Sequence, residues 1–452
     1  MAVPIRNISS PGYTDDLEFK TDTRAMIITT ALFFMVGLLT CLKDIVTPHL
    51  KSIFDLSYAE AMQVQFALFT SYFVFSYPSG AMVEKFGYKK TMVIGLLVMA
   101  VGSAGFIPAA KLAVYSIFLA AMIVLAAGIT IVQVAANPYV AVIGPAATAS
   151  SRLNLAQGFN SFGTFVAPFI GSVLILRGAP AISPAAMACL SSTKLQAYRE
   201  LQAHTVILPY FGMAVVLALL AIILASIHLH HPRNSAAERT QDFRPGAFSE
   251  ALSKPDSIWR HPWLLFGAVG IFTYVGAEVT IGGLLVNFMG LRDVAAISQS
   301  RAANYLMVYW GGAMVGRFIG SGVLQRLKTG KLLGLNAIVA FFLVVLALLS
   351  HGHLAMFALL LVGLFNSVMF PSIFALSIQD LGSLTSKGSS LLIAAVVGGA
   401  LIPLATGKLA DIIGLHHSFV LTALCYVYIA AYGIANIRRP DGSDVLLPAE
   451  PF

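Results

Sequence analysis

The chain has 452 residues, of which 58% are hydrophobic and only 11% charged, too few charges to cover a soluble domain of that size. Its formal net charge is +8, but the Lys and Arg residues sit in short connections between apolar runs, not in one aromatic-interleaved patch, which argues against a nucleic-acid surface. Cys41, Cys189 and Cys425 form no CxxC pair and are odd in number, so neither a disulfide framework nor a thiolate metal site is supported.

Residues 1–23 are polar and mixed in charge, without the apolar core and small-residue cleavage site of a signal peptide, and read as a tail. Apolar runs follow near 25–48, 61–83, 91–109, 112–140, 155–177 and 205–228. Six more lie near 261–289, 300–325, 332–350, 354–379, 388–410 and 416–437. Each is close to the roughly 20 residues that a helix needs to cross about 30 Å of hydrocarbon. The pattern predicts an all-α membrane protein with 12 transmembrane helices in two pseudo-symmetric six-helix bundles, 24–228 and 261–437. Residues 229–260, the longest polar stretch, read as a cytoplasmic linker, and 438–452 as a C-terminal tail. His228, His230 and His231 close the sixth run, but no Cys or carboxylate cluster joins them, so they read as a solvated helix end and not as a metal tract. With the N-terminus in the cytoplasm, most Lys and Arg residues fall inside, as the positive-inside rule requires, and both termini are expected there.

The halves echo each other. AMVEKFGYKK (81–90) after the second run is matched by GVLQRLKTGK (322–331) after the eighth, Gly163 and Pro168 by Gly398 and Pro403, and Asn137-Pro138 by Phe370-Pro371. Such echoes point to a duplicated unit of the kind transporters use.

Polar groups inside the runs are costly in lipid unless paired. Gln133 and Asn137 lie four apart on one helix face, and Asn154, Gln157 and Asn160 form a stripe at three-residue spacing. They serve either a polyol ligand or interhelical hydrogen bonding. Asn287 and Asn366 are candidate partners from the second half, and Trp310, Tyr305, Tyr309 and Phe370 either stack on a ring or fill the core. Gly312, Gly316 and Gly320 read as a helix-packing face. Asp44 and Glu278 are carboxylates within spans, where a charge costs roughly 2.5–3.5 kcal/mol on insertion scales. Such groups suit the loading and release of a proton, although Glu278 also has Arg317 as a structural partner to consider. Lys43, beside Asp44, either snorkels to the surface or stands where a coupling cation would bind.

GAMVEKFGYKK (80–90) resembles the loop signature of the major facilitator superfamily. FFMVGLLTCLKDIVTPHLK (33–51), QVAANPYVAVIG (133–144), RLNLAQGFNSFGTFVAP (152–168), YVGAEVTIGGLLVN (274–287), ANYLMVYWGGAMVGRFIGS (303–321) and GLFNSVMFPSIFAL (363–376) narrow the likeness. Over residues 24–436 the chain resembles the fucose:proton symporter family, and within it the bacterial glucose/galactose permease branch. The resemblance implies a sugar site between two bundles that work by alternating access. It implies gating by Gly80, Glu84, Lys85, Gly87, Lys89 and Lys90, and places Asp44, Gln133, Gln157 and Asn160 on sugar-binding or coupling positions. Three residues depart from the family pattern. Lys43 replaces the usual Asn, Gln133 replaces a Glu of the fucose transporters, and Glu278 replaces an amide, so the intramembrane acid has moved to the second bundle.

The expected function is therefore a secondary carrier, not an enzyme, importing a hexose of the glucose/galactose type by proton symport. It would sit in the bacterial inner membrane as a functional monomer surrounded by lipid, with no cofactor, metal or nucleic acid. An uncoupled or sodium-coupled facilitator stays open, as does a carrier for fucose, mannose, fructose or N-acetylglucosamine. Two other classes fit less well. A membrane sugar receptor wants a signalling domain, and a membrane enzyme wants a large extramembrane domain or a metal motif such as HExxH. No GxxxxGK[ST] phosphate loop is present to support ATP drive.

Overall fold

The computed structural model describes residues 21–54, 58–112, 114–171, 207–227 and 257–439, with side chains described throughout except at 42–54, 58–65, 168, 170, 171, 299, 300 and 303. The first half comprises α1 (Thr23–Phe54), α2 (Tyr58–Leu112), α3 (Tyr115–Val142), α4 (Ala149–Gly171) and α5 (Ile207–Ser226). The second comprises α6 (Pro262–Met289), α7 (Gln299–Val323), α8 (Thr329–Leu349), α9 (Gly352–Asn366), α10 (Met369–Ile378), α11 (Thr385–Ala394), α12 (Gly398–Ile413), α13 (Leu415–Ser418) and α14 (Val420–Ile437). The histidine tract, most of the expected linker and nearly all of both expected tails lie outside the described residues.

Among the described residues, nine stretches are long and apolar enough to cross a membrane. One of them, Phe66–Leu112, holds two of the expected spans. Gly87 adopts φ 78 and ψ 169 inside α2, a backbone region open essentially to glycine, and folds the chain back there. The helices α4 and α7 complete the expected twelve. Hydropathy passes over both because they carry amides and arginines. The expected tenth span breaks between α9 and α10, where Pro371 has no N–H to donate to the carbonyl of Ser367.

Within each half the helices pack in matching pairs. The α1 helix lies on α4, and α6 lies on α12. A side chain at Gly163 would collide with the backbone oxygen of Phe34, and one at Gly398 with that of Phe272. The paired glycines of the sequence echo are thus places where two backbones touch. Large apolar side chains such as Phe73, Leu97, Leu208, Ile222, Phe342 and Leu424 face outward, as a lipid-bathed surface requires. Hydroxyls that would otherwise be stranded bond back along their own helices, as Thr29 does to Ala25 at 2.6 Å and Thr130 to Ala126 at 2.8 Å.

The halves meet through α4 with α7 and α10, and through α2 and α3 with α11. At the end of the molecule that carries Gly87, Ser151 donates to the carbonyl of Ser321 at 2.7 Å and Thr329 to Ser150 at 3.0 Å. Ser389 donates to the carbonyl of Val134 at 2.9 Å. That carbonyl lacks its helical donor because Pro138 stands four residues on. Glu84 faces Lys387 of the opposite half at 3.7 Å, and Gly80 lies so close to Ser390 that a side chain there would press into it. Lys89 donates to the carbonyl of Ala225 at 2.8 Å, while Lys85 covers Phe86 and Lys90 is exposed.

At the opposite end, Asp293 in the α6–α7 connection meets His416 of α13 at 3.0 Å, and His416 reaches the carbonyl of Ala347 at 2.9 Å. Partial desolvation raises the Asp293 carboxyl, but a backbone hydrogen bond and the His416 contact outweigh it and hold the group below the usual carboxylate range. A depressed carboxyl adds stability above its unfolded pKa and loses it as pH falls through the folded value. Thermal melts of Asp293→Asn should therefore show a small loss at neutral pH that vanishes in acid.

Candidate functional site

Midway along α6, a cavity of about 150 Å³ opens between the halves. The first half contributes Tyr72, Gln133, Gln157 and Asn160, and the second Tyr274, Val275, Glu278, Arg317, Phe370 and Val396.

The amides of the first wall are held in place from behind. Gln133 Nε2 donates to the Tyr72 hydroxyl at 3.0 Å. Asn137 is fully buried, donates to the carbonyl of Gln133 at 2.9 Å and accepts from Gln157 Nε2 at 3.2 Å. It supports the cavity without lining it. Asn160 Nδ2 donates to the carbonyl of Phe33 at 2.9 Å, which leaves its oxygen without a hydrogen bond among the described residues. These groups are polar, fixed and turned to one small space, as recognition of several hydroxyls demands.

The second wall is aromatic and charged. Glu278 accepts from the Tyr274 hydroxyl at 2.7 Å and faces Arg317 at 3.5 Å. Arg317 is held on several sides. Its Nε donates to the carbonyl of Ser367 at 3.3 Å, the one Pro371 leaves free, and its Nη1 donates to Ser161 and to the carbonyl of Gln157. Phe370 lies 6.5 Å from Tyr274, ring centre to ring centre, and gives the cavity an apolar face for the C–H side of a ring.

Two expected partners stand elsewhere. Asn366 is fully buried, donates to the Tyr309 hydroxyl at 3.0 Å and accepts from Tyr426 at 2.8 Å, so both sides of its amide are used. Removing it with Asn366→Ala strands the Tyr426 hydroxyl and takes a donor from that of Tyr309, and should cost about 1–3 kcal/mol of stability, seen as a lowered Tm with ligand affinity kept. Asn287 is exposed near the end of α6, nine residues past Glu278 and so about 13 Å along the helix. Lys43 and Asp44 lie on α1, beyond the residues whose side chains are described. Of the aromatics, Phe370 reaches the cavity, Tyr309 lies buried behind it, and Tyr305 packs on Phe357. Gly316 and Gly320 admit Leu364 and Val368, which makes them a packing face.

A small polar cavity walled by both halves of a twelve-span helical protein defines a membrane transporter. The chain belongs to the Major Facilitator Superfamily, whose model matches residues 25–396. It is 45% identical over 437 residues to the glucose/galactose transporter of Brucella abortus (strain 2308), covering 97% of this chain and 99% of that one. It is 32% identical over 400 residues to the L-fucose-proton symporter of Escherichia coli (strain K12), covering 88% of this chain and 90% of the other. A crystal structure of a transporter of this superfamily, FucP, in the outward conformation superposes with a TM-score of 0.81 at 29% identity, over 91% of this chain and 98% of that one. These relatives transport sugars, and the chain is a transporter and not an enzyme.

Proposed function

We propose that the protein imports a hexose of the glucose/galactose type together with a proton, by alternating access around the cavity. The observation that carries this reading is the pairing of walls: hydroxyl-binding amides on one half, and an aromatic face with one carboxylate on the other. The relatives' names, a glucose/galactose transporter and a fucose-proton symporter, support the sugar and the coupling ion.

In this reading Gln157 and Asn160 bind sugar hydroxyls, Phe370 covers the ring and Glu278 carries the proton. The end bearing Gly87 is cytoplasmic, in line with its Lys and Arg content, and the contacts of Glu84, Ser151 and Ser389 with the other half close that side. Loading then takes place from the periplasmic side of a bacterial inner membrane, with the protein acting as a monomer in lipid.

Uptake of labelled glucose and galactose into proteoliposomes, with and without an imposed pH gradient, tests the proposal. Accumulation above equilibrium only with the gradient supports symport. Equilibration without accumulation would make the protein a facilitator, and no uptake would leave a receptor. In the same assay, Lys43→Asn should increase the dependence on the gradient if the Lys43 ammonium replaces a coupling cation.

A further inference from the structure

Arg317 belongs at once to the cavity and to the contact between the halves. Its guanidinium faces Glu278 on α6 at 3.5 Å, donates to Ser161 on α4, and donates to the carbonyl of Ser367 at 3.3 Å. Its own backbone oxygen accepts from Asn154 on α4 at 2.6 Å. A guanidinium is a rigid fork, so a change in what holds one arm shifts the others. Only 11% of the Arg317 side chain is exposed, and a cation so buried is stable only while a partner balances it.

We propose that Arg317 is the positioning residue that carries the charge state of Glu278 to the seam between α4 and α7. This rests on the reading of Glu278 as the proton carrier. With Glu278 ionised, Arg317 is anchored and its remaining donors hold α4, so the Gly87 end stays closed. When Glu278 takes a proton from the solution, the buried guanidinium loses its counter-charge, its grip on Ser161 and the Gln157 carbonyl weakens, and the seam is free to part. Release of the proton on the far side restores the anchor and closes the seam again. A separation of 3.5 Å, longer than a tight charge-assisted hydrogen bond of about 2.7–2.9 Å, leaves Arg317 able to be released.

The groups facing this pair are few. On the second half they are the hydroxyls of Tyr274 on α6 and of Tyr309 on α7, the latter donating to the Glu278 carbonyl at 3.4 Å. Across the cavity stand Tyr72 of α2, Gln133 of α3, and Gln157 and Asn160 of α4, with Phe370 of α10 beside them. Ser161 of α4 completes the set, and none of these groups from the opposite half is an acid or a base near neutral pH. Lys43 and Asp44 of α1 lie beyond the described side chains.

The test follows the seam directly. Nitroxide labels on Ala147→Cys and Gln325→Cys, exposed positions on opposite halves at the Gly87 end, report the distance across it by pulsed electron spin resonance in liposomes, with the native cysteines replaced by serine. In the parent the mean distance should lengthen as pH falls, and in Glu278→Gln it should exceed the parent's high-pH value and no longer change with pH. Ser161→Ala removes one arm of the fork without touching a cavity-lining group. It should lengthen the high-pH distance and shrink the pH response at least twofold, while sugar affinity stays within twofold of the parent. Arg317→Lys keeps the charge but loses the fork, and should likewise lengthen the high-pH distance and shrink the pH response. A pH response in Ser161→Ala and Arg317→Lys equal to the parent's overturns the proposal. If Glu278→Gln still accumulates sugar as the parent does, the proton-carrier reading itself fails.

Discussion

Replacing Glu278 with glutamine should abolish gradient-driven accumulation of sugar while sparing exchange of sugar across the membrane. The amide keeps the shape of the protonated acid and still accepts from the Tyr274 hydroxyl, now at 2.7 Å from Oε1, so the cavity wall is retained. What is lost is the ability to release a proton. Exchange returns the loaded carrier in both directions and never needs that release. One pH unit is worth about 1.4 kcal/mol per proton, or tenfold in sugar concentration at one proton per sugar. The variant should therefore reach a ratio near one where the parent approaches ten. Accumulation at the parent's level would exclude Glu278 and leave Asp44 as the acid to examine.

Truncating Gln157 or Asn160 to alanine should each weaken hexose binding by about 1–3 kcal/mol, roughly 5- to 150-fold in Kd. Both amides are fixed by hydrogen bonds that do not involve a ligand, Gln157 by Asn137 at 3.2 Å and Asn160 by the Phe33 carbonyl at 2.9 Å. Their remaining polar capacity is turned to the cavity without the entropy cost of ordering them on binding. Equilibrium binding and thermal melting measured together separate the outcomes. A large loss of affinity with Tm nearly kept supports recognition, whereas kept affinity with a lowered Tm would make these amides structural glue.

The spans were legible because lipid sets a length, and runs near that length recur down the chain. The amide stripes on α3 and α4 were legible for the converse reason, since polar groups in such runs need a destination. Three of those expected amides, Gln133, Gln157 and Asn160, do come together around one cavity with Glu278. Tyr72, Tyr274, Val275 and Val396 escaped notice, because an aromatic or aliphatic residue in a span reads alike whether it faces lipid, core or cavity. Asn366 shows the opposite limit. Nothing near it in sequence reveals that Tyr309, 57 positions before it, and Tyr426, 60 positions after it, use up its amide. The Asn137-Pro138 and Phe370-Pro371 echo was visible as a repeat. Its physical content, a pair of carbonyls freed for Ser389 and Arg317 of the second half, needed three dimensions.

The polarity of α4 and α7 reaches into how the protein is made. A helix with Asn154, Gln157 and Asn160 on its flank and Arg152 buried at its start partitions poorly on its own from the translocon into lipid, since each unpaired polar group there costs free energy. It needs companions already waiting. The α3 helix supplies the carbonyls of Val140 and Ala141, which take up Arg152 at 3.0 and 2.6 Å, and α1 supplies the backbone groove into which Gly163 fits. Likewise α7 brings Arg317 into the membrane only after α6 has delivered Glu278. Biogenesis is thereby ordered, and a substitution that weakens the α1–α4 contact should be felt first as a nascent chain that fails to insert and is degraded, before any effect on transport can be measured.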